Sequence, residues 1–230
     1  MKTDLPDPLV VKNRPRSQAA EAFRALRTNI QFMNPDKELR SIVITSSCPG
    51  EGKSTLAANL AVSLAQTGKK VVCVDTDLHK PKLHNIFHVL NMKGVTNALA
   101  GSHSIDDVTL QTDVEGLRII LSGPIPPNPS EILGSKKMKS IMEKLAAEND
   151  FVIYDTPPVV SVTDAVILSS QADGVILLID SRKSVRQAVI HTKQTLELAN
   201  VRILGVVLGK VPKEDRGYYY YYYYGHDREG

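Results

Sequence analysis

The sequence predicts an α/β fold, a mostly parallel sheet with helices on both faces. Three observations carry this. Short β-branched runs alternate with helical patterns from about residue 39 to residue 208. The strand runs are continuously apolar, as expected when both faces of a parallel sheet are covered. A glycine-rich turn joins the first strand to a helix, at the end of the sheet where such folds place their ligands.

The elements follow in order. Residues 1–16 are polar and proline-spotted and read as a flexible arm. Ser17 to Met33 carries Ala19, Ala20, Phe23, Leu26 and Ile30 near a 3.6 period, with Ser17 as N-cap and Asn34-Pro35 as the stop. Leu39 to Thr45 is a strand. The helix after the glycine turn runs to about Thr67, with Leu56, Ala57, Leu60, Ala61 and Leu64 on one face and Gly68 past its end. Lys70 to Asp75, Leu117 to Leu121, Phe151 to Tyr154, Gly174 to Asp180 and Ile203 to Leu208 are further strands. Pro81 to His88, Val95 to Leu99, Lys136 to Glu148, Asp164 to Ser170 and Val185 to Ala199 are helices. The prolines of Gly123 to Pro129 mark a loop. With no internal linker, one domain spans 17–210, and 211–230 forms a disordered tyrosine-rich tail.

Composition narrows the class. Of 230 residues, 42% are hydrophobic and 23% charged, which excludes a disordered chain or a fibre. There is no Trp and there are 4 Phe, so the core is aliphatic; seven of the 8 Tyr are consecutive, Tyr218 to Tyr224. A net charge of +3 gives no electrostatic case for nucleic acid or a lipid surface. Cys48 and Cys73 are too few for a disulfide framework and suit a reducing compartment. No apolar run approaches the roughly 20 residues of a spanning helix, so a cytoplasmic chain is expected.

The chemistry starts at Ser47-Cys48-Pro49-Gly50-Glu51-Gly52-Lys53-Ser54-Thr55, between strand and helix. Gly50 and Gly52 let the backbone curl with its N–H groups around phosphate oxygens. The helix N-terminus aims its positive end at the same anion. Lys53 can reach the β- and γ-phosphates, and the Ser54 hydroxyl can ligate Mg²⁺. Pro49, Gly50, Glu51, Gly52, Lys53, Ser54 and Thr55 are therefore the nucleotide-binding candidates. Two strands end in acid, at Asp75-Thr76-Asp77 and Asp155-Thr156-Pro157-Pro158. Carboxylates there can hold Mg²⁺, and one can take a proton from an attacking hydroxyl. A P-loop nucleotide-hydrolase-like fold is the expectation, with Lys53, Asp75 and Asp77 as catalytic candidates.

These motifs resemble those of the bacterial tyrosine kinases of capsular and exopolysaccharide synthesis, in the separate-chain form of Gram-positive bacteria. The resemblance rests on Pro49 to Ser54 as Walker A, Asp75-Thr76-Asp77 as Walker A′ and Asp155-Thr156-Pro157-Pro158 as Walker B, a deviant-Walker arrangement. It rests also on Ser122 to Pro129 and on the tyrosine cluster. It implies an ATP- and Mg²⁺-dependent tyrosine autokinase, with Ser54, Asp77 and Asp155 at the metal. Asp75 is the first choice of base, with Asp77 its rival. Tyr218, Tyr219, Tyr220, Tyr221, Tyr222, Tyr223 and Tyr224 become the phosphoacceptors, used in trans within a ring oligomer.

Glu21, Arg24 and Arg27 match the family's Glu-x-x-Arg-x-x-Arg subunit contact, although their spacing alone describes an ordinary charged helix face. The resemblance further implies protein tyrosine substrates and a transmembrane adaptor that brings the chain to the inner face of the membrane. No nucleic acid is expected, since no basic residue interleaves the tyrosines. A Min- or Par-type switch ATPase is the alternative; the second lysine such proteins carry five residues before the loop lysine is here Cys48. Two departures from the kinase pattern stand out, His79 where Arg is frequent and Gly209 where Asn is.

Overall fold

A computed structural model describes residues 7–33 and 39–212. Its seven-stranded sheet comprises β1 (Ser41–Ser46), β2 (Val71–Asp75), β3 (Thr109–Gln111), β4 (Leu117–Ile120), β5 (Phe151–Asp155), β6 (Gly174–Asp180) and β7 (Ile203–Gly209). The spatial order is β3-β4-β2-β5-β1-β6-β7. All neighbours are parallel except the edge pair β3–β4. That reversed edge strand was not foreseen, because three residues of which two are polar carry too little pattern.

The strand alternation builds two cores. Ile42, Ile44, Val71, Cys73, Ile153 and Ile176 face one side and meet α1 (Val10–Asn13), α2 (Gln18–Phe32), α3 (Lys53–Ala65) and α4 (Leu83–Ile86). Val43, Val72, Val74, Val152, Tyr154 and Val175 face the other. There they meet α5 (Val95–Ala100), α6 (Pro129–Leu133), α7 (Lys136–Glu148), α8 (Asp164–Ser169) and α9 (Arg186–Leu198). α3 is buried along nearly its whole length, which is why its face of Ala and Leu reads so clearly. Ser17 caps α2 by accepting from the Ala20 amide, as the sequence suggests.

Two expectations are corrected. The segment expected as a flexible arm holds α1, with Leu9 and Val11 buried against the core. Asn59 on α3 fixes it by accepting from the Val11 amide at 3.0 Å and donating to the Pro8 carbonyl at 2.6 Å. One helical turn is too short for periodicity to reveal. The proline-rich loop is likewise shorter than expected, because Pro129 opens α6 at the position where a missing N–H costs nothing. The tail beyond Pro212 lies outside the described residues.

Candidate active site

The C-terminal ends of the parallel strands gather the predicted motifs at one edge. Between β1 and α3, Gly50 (φ 79°) and Gly52 (φ 111°) take left-handed backbone that only glycine adopts without strain. No acceptor among the described residues pairs with the N–H groups of Gly50, Glu51, Gly52 or Lys53. Successive unpaired donors at a helix N-terminus form a cradle for an anion. Lys53 is nearly buried beside it.

The Glu51 side chain has a role that residue type alone does not reveal. It turns back into the loop and accepts from the amides of Ser47 (3.1 Å) and Cys48 (3.3 Å) and from the Ser184 hydroxyl. Glu51 thus braces the loop with its carboxylate and offers phosphate only its amide.

The acids sit side by side. Asp75 and Asp155 are register partners at the ends of adjacent strands. Each is followed by a threonine that pins that register: Thr76 N–H and hydroxyl both donate to the Asp155 carbonyl, at 2.9 and 2.7 Å. Thr156 does the same to the Ile44 carbonyl, at 3.2 and 2.9 Å. Asp75 is fully buried and accepts from the amides of Asp77, Lys82 and Leu83. Burial, opposed by those amides and reinforced by the Asp77 charge, raises its pKa to about 7. Asp77 accepts from the amides of His79 (3.3 Å) and Lys80 (2.9 Å).

Asp155 differs from its neighbours. It is fully buried, and neither oxygen has a hydrogen-bond partner among the described residues. Its pKa is raised by burial first and by the Asp75 charge second, against the pull of Ser54 and Lys53. Ser54 faces it without closing a hydrogen bond of ordinary geometry. An unpaired buried carboxylate is costly unless a cation completes it. Asp155, Asp77 and Ser54 are oxygen donors, the type Mg²⁺ takes in small number alongside phosphates and water. Among the described residues no three His, Cys, Asp or Glu form a self-sufficient metal cluster, and Mg²⁺ needs none. The residues therefore fit a magnesium nucleotide.

The structure also ties His79, the departure noted in the Walker A′ run, to residues that motif reading passed over. His79 Nε2 lies 3.0 Å from Oδ2 of the buried Asp164, whose other oxygen accepts from the Ser130 hydroxyl. One carboxylate on α8 thus ties the Walker A′ loop to α6. Asp180, ending β6, is held by Lys210 at 2.6 Å and by the Arg182 amide at 3.0 Å. Burial would raise its pKa, but these partners hold it below the ordinary carboxylate value. The His79–Asp164, Ser130–Asp164 and Lys210–Asp180 contacts join residues 30 to 85 positions apart and leave no local pattern.

The α2 constellation lies apart from the phosphate edge. Glu21 and Arg24 pair with each other, and Arg24 also donates to the Pro15 carbonyl at 2.9 Å. Arg27 turns inward to the Ser63 carbonyl at 3.0 Å. Tyr218 to Tyr224 lie outside the described residues. Tyr154 is fully buried and its hydroxyl has no partner among them.

Comparisons with known proteins agree with this geometry. Residues 39–202 match the AAA domain family. The chain is 42% identical over 214 residues to the tyrosine-protein kinase YwqD of Bacillus subtilis, covering 92% of this chain and 90% of that protein. It is 37% identical over 201 residues to the tyrosine-protein kinase CpsD of Streptococcus agalactiae, covering 87% of each. Among solved structures, the chimerical protein CapA2B2 superposes with a TM-score of 0.86 at 42% identity, over 90% of this chain and 91% of that one. The kinase domain of Escherichia coli ETK gives 0.84 at 32%, over 90% and 82%. The septum site-determining protein MinD of Pyrococcus horikoshii, complexed with Mg-ADP, gives 0.64 at 27%, over 76% and 74%. The switch ATPases share the fold at a greater distance, and the chain belongs to the bacterial tyrosine-protein kinases.

Proposed function

We propose that this protein-tyrosine kinase uses Mg-ATP to phosphorylate its own Tyr218–Tyr224 cluster, in trans within a ring oligomer. The observation that best supports the nucleotide chemistry is the row of unpaired loop amides facing the unpaired carboxylate of Asp155. The amides and Lys53 hold the phosphates in line for transfer, and Ser54, Asp77 and Asp155 hold the metal. Bound Mg²⁺ supplies neutralisation of charge on the β- and γ-phosphate oxygens. Asp75 takes the phenolic proton as the tyrosyl oxygen bonds to the γ-phosphorus and ADP leaves. Its pKa of about 7 suits a base that must be deprotonated yet still basic near neutral pH.

The burial of Tyr154 supports the terminal run as the acceptor. The one tyrosine outside the terminal run, Tyr154, is sealed in the core, where burial also raises its pKa. Each new phosphate adds about −1.5 to −2 charges, so a modified tail repels its neighbours and loosens the ring. Glu21, Arg24 and Arg27 supply the subunit contact in this reading, with Glu21 the most exposed of the pair it forms with Arg24. Capsule or exopolysaccharide synthesis is the process regulated, with a transmembrane adaptor recruiting the chain to the cytoplasmic face of the membrane. No helix among the described residues is long and apolar enough to cross a membrane by itself.

Replacing Tyr218–Tyr224 by Phe tests the reading. With Mg-ATP, phosphotyrosine on the chain falls at least tenfold while ATP binding is retained. Undiminished labelling rules the cluster out as the main acceptor, and phosphate release without any phosphotyrosine in the wild type favours a switch ATPase.

A further inference from the structure

The outer side of the phosphate loop carries two lysines that the chemistry above does not use. Lys183, in the turn after β6, donates its ammonium to the Pro49 carbonyl at 3.0 Å. Lys210, just past β7, donates to the Gly50 carbonyl at 3.1 Å and to Asp180 at 2.6 Å. The two carbonyls belong to successive peptide groups, 49–50 and 50–51.

Both peptide groups are trans, so the N–H of each points away from its carbonyl. The N–H groups in question are those of Gly50 and Glu51, two of the unpaired donors of the cradle. A peptide unit is resonance-linked from oxygen to nitrogen. A cation on the oxygen therefore withdraws density from the nitrogen and strengthens the N–H as a donor, the cooperative polarisation of hydrogen bonds in series.

The turn that carries Lys183 is itself fixed to the loop. The Asp180 amide donates to Ser184 Oγ at 2.8 Å, and the Ser184 hydroxyl donates to Glu51. Asp180 in turn orients the Lys210 ammonium. Both lysines are exposed side chains reaching back onto backbone, although solvent offers them an easier partner.

We infer that Lys183 and Lys210 are positioning residues, which hold the phosphate loop by its outward carbonyls and polarise the Gly50 and Glu51 amides toward a bound polyphosphate. The inference rests on the nucleotide-binding reading of the loop and assigns the lysines no contact with adenine or ribose.

The test uses full-length chains carrying Lys183→Gln or Lys210→Gln. Calorimetry with Mg²⁺ measures a non-hydrolysable ATP analogue and inorganic tripolyphosphate, which has the phosphates and lacks the base. Each variant weakens both ligands by a similar factor, about five- to tenfold, as expected for loss of one charge-assisted contact. Lys→Arg at either position recovers most of the affinity. In ligand-free protein the amide proton of Gly50 moves upfield in Lys183→Gln, and that of Glu51 in Lys210→Gln.

Wild-type affinity in both variants overturns the inference, as do unmoved amide shifts. A loss confined to the nucleotide also overturns it, because the lysine then reads the base. Failure of the wild-type chain to bind either ligand sinks the nucleotide reading itself. If Lys210→Gln does not fold because the Asp180 pair is broken, Lys183→Gln decides, since its hydrogen bond is to Pro49 alone.

Discussion

The two ends of the sheet use the same residue type in opposite ways. At the end where strands begin, Asp173 accepts from the Arg40 amide and from the amide and hydroxyl of Ser41, at 3.0, 2.9 and 2.8 Å. Asp150 accepts from the Lys70 amide at 2.8 Å. At the end where strands finish, Asp75 and Asp155 are crowded together in the interior, and Asp155 has no partner among the described residues. The first pair of acids satisfies backbone that the sheet leaves open. In the second, Asp75 is met by three backbone amides and Asp155 by no hydrogen-bond donor among the described residues. Burial separates the two pairs, Asp150 being exposed and Asp173 half-buried while Asp75 and Asp155 are sealed in the interior; hydrogen bonding then separates Asp155 from Asp75.

The largest test of this contrast removes the cation already present at the catalytic end. Lys53→Met lowers autophosphorylation by about 100- to 1000-fold, the scale of losing one preorganised charge at a reacting phosphate. Thermal stability stays near wild type, measured by calorimetry beside a phosphotyrosine assay. The opposite end responds in the opposite sense. Asp173→Ala costs about 2 kcal/mol of folding stability, since it strands the strand-start donors it now pairs. The surviving folded enzyme keeps its turnover rate, which a denaturant melt and a kinase assay on the same sample check.

The smallest effect is the sharpest. Asp155→Asn removes a buried carboxylate that has no hydrogen bond to lose among the described residues, so the variant is about 1 kcal/mol more stable. For a chain of this size that is a Tm higher by about 2–4 °C. The sign depends on pH. The pKa of Asp155 is raised, by burial and then by Asp75, above the unfolded value of about 3.8. Above that value the folded wild type holds protons that the unfolded chain releases, so its stability falls as pH rises through the window. Asp75 adds the same trend between 3.8 and about 7. The advantage of Asp155→Asn is therefore greater at a pH well above that unfolded value than at one near it. Equal gains at both values would show that the Asp155 carboxylate is not strained.

Much of this was legible in residue order, and particular positions show why. The α7 and β6 boundaries coincide with their sequence patterns, because a helix face and a buried strand are local periodicities. Gly50, Gly52 and Lys53 were legible because backbone curl and a reaching cation need those residue types at that spacing. The α1 turn and the three-residue β3 were not, since each spans little more than one period of its pattern, too little to establish a repeat.

The sequence by itself determined the fold class, the phosphate loop, the acidic strand ends and the tyrosine cluster that mark the family. Only the tertiary structure decided which acids are paired and which are not. It also decided that Glu51 turns inward, that Asp164 joins His79 to Ser130, and that Lys183 and Lys210 reach the loop from behind. The physical reason is range. Periodicity and turn chemistry act over a few residues, whereas a carboxylate or an ammonium is satisfied by whatever strand order places beside it.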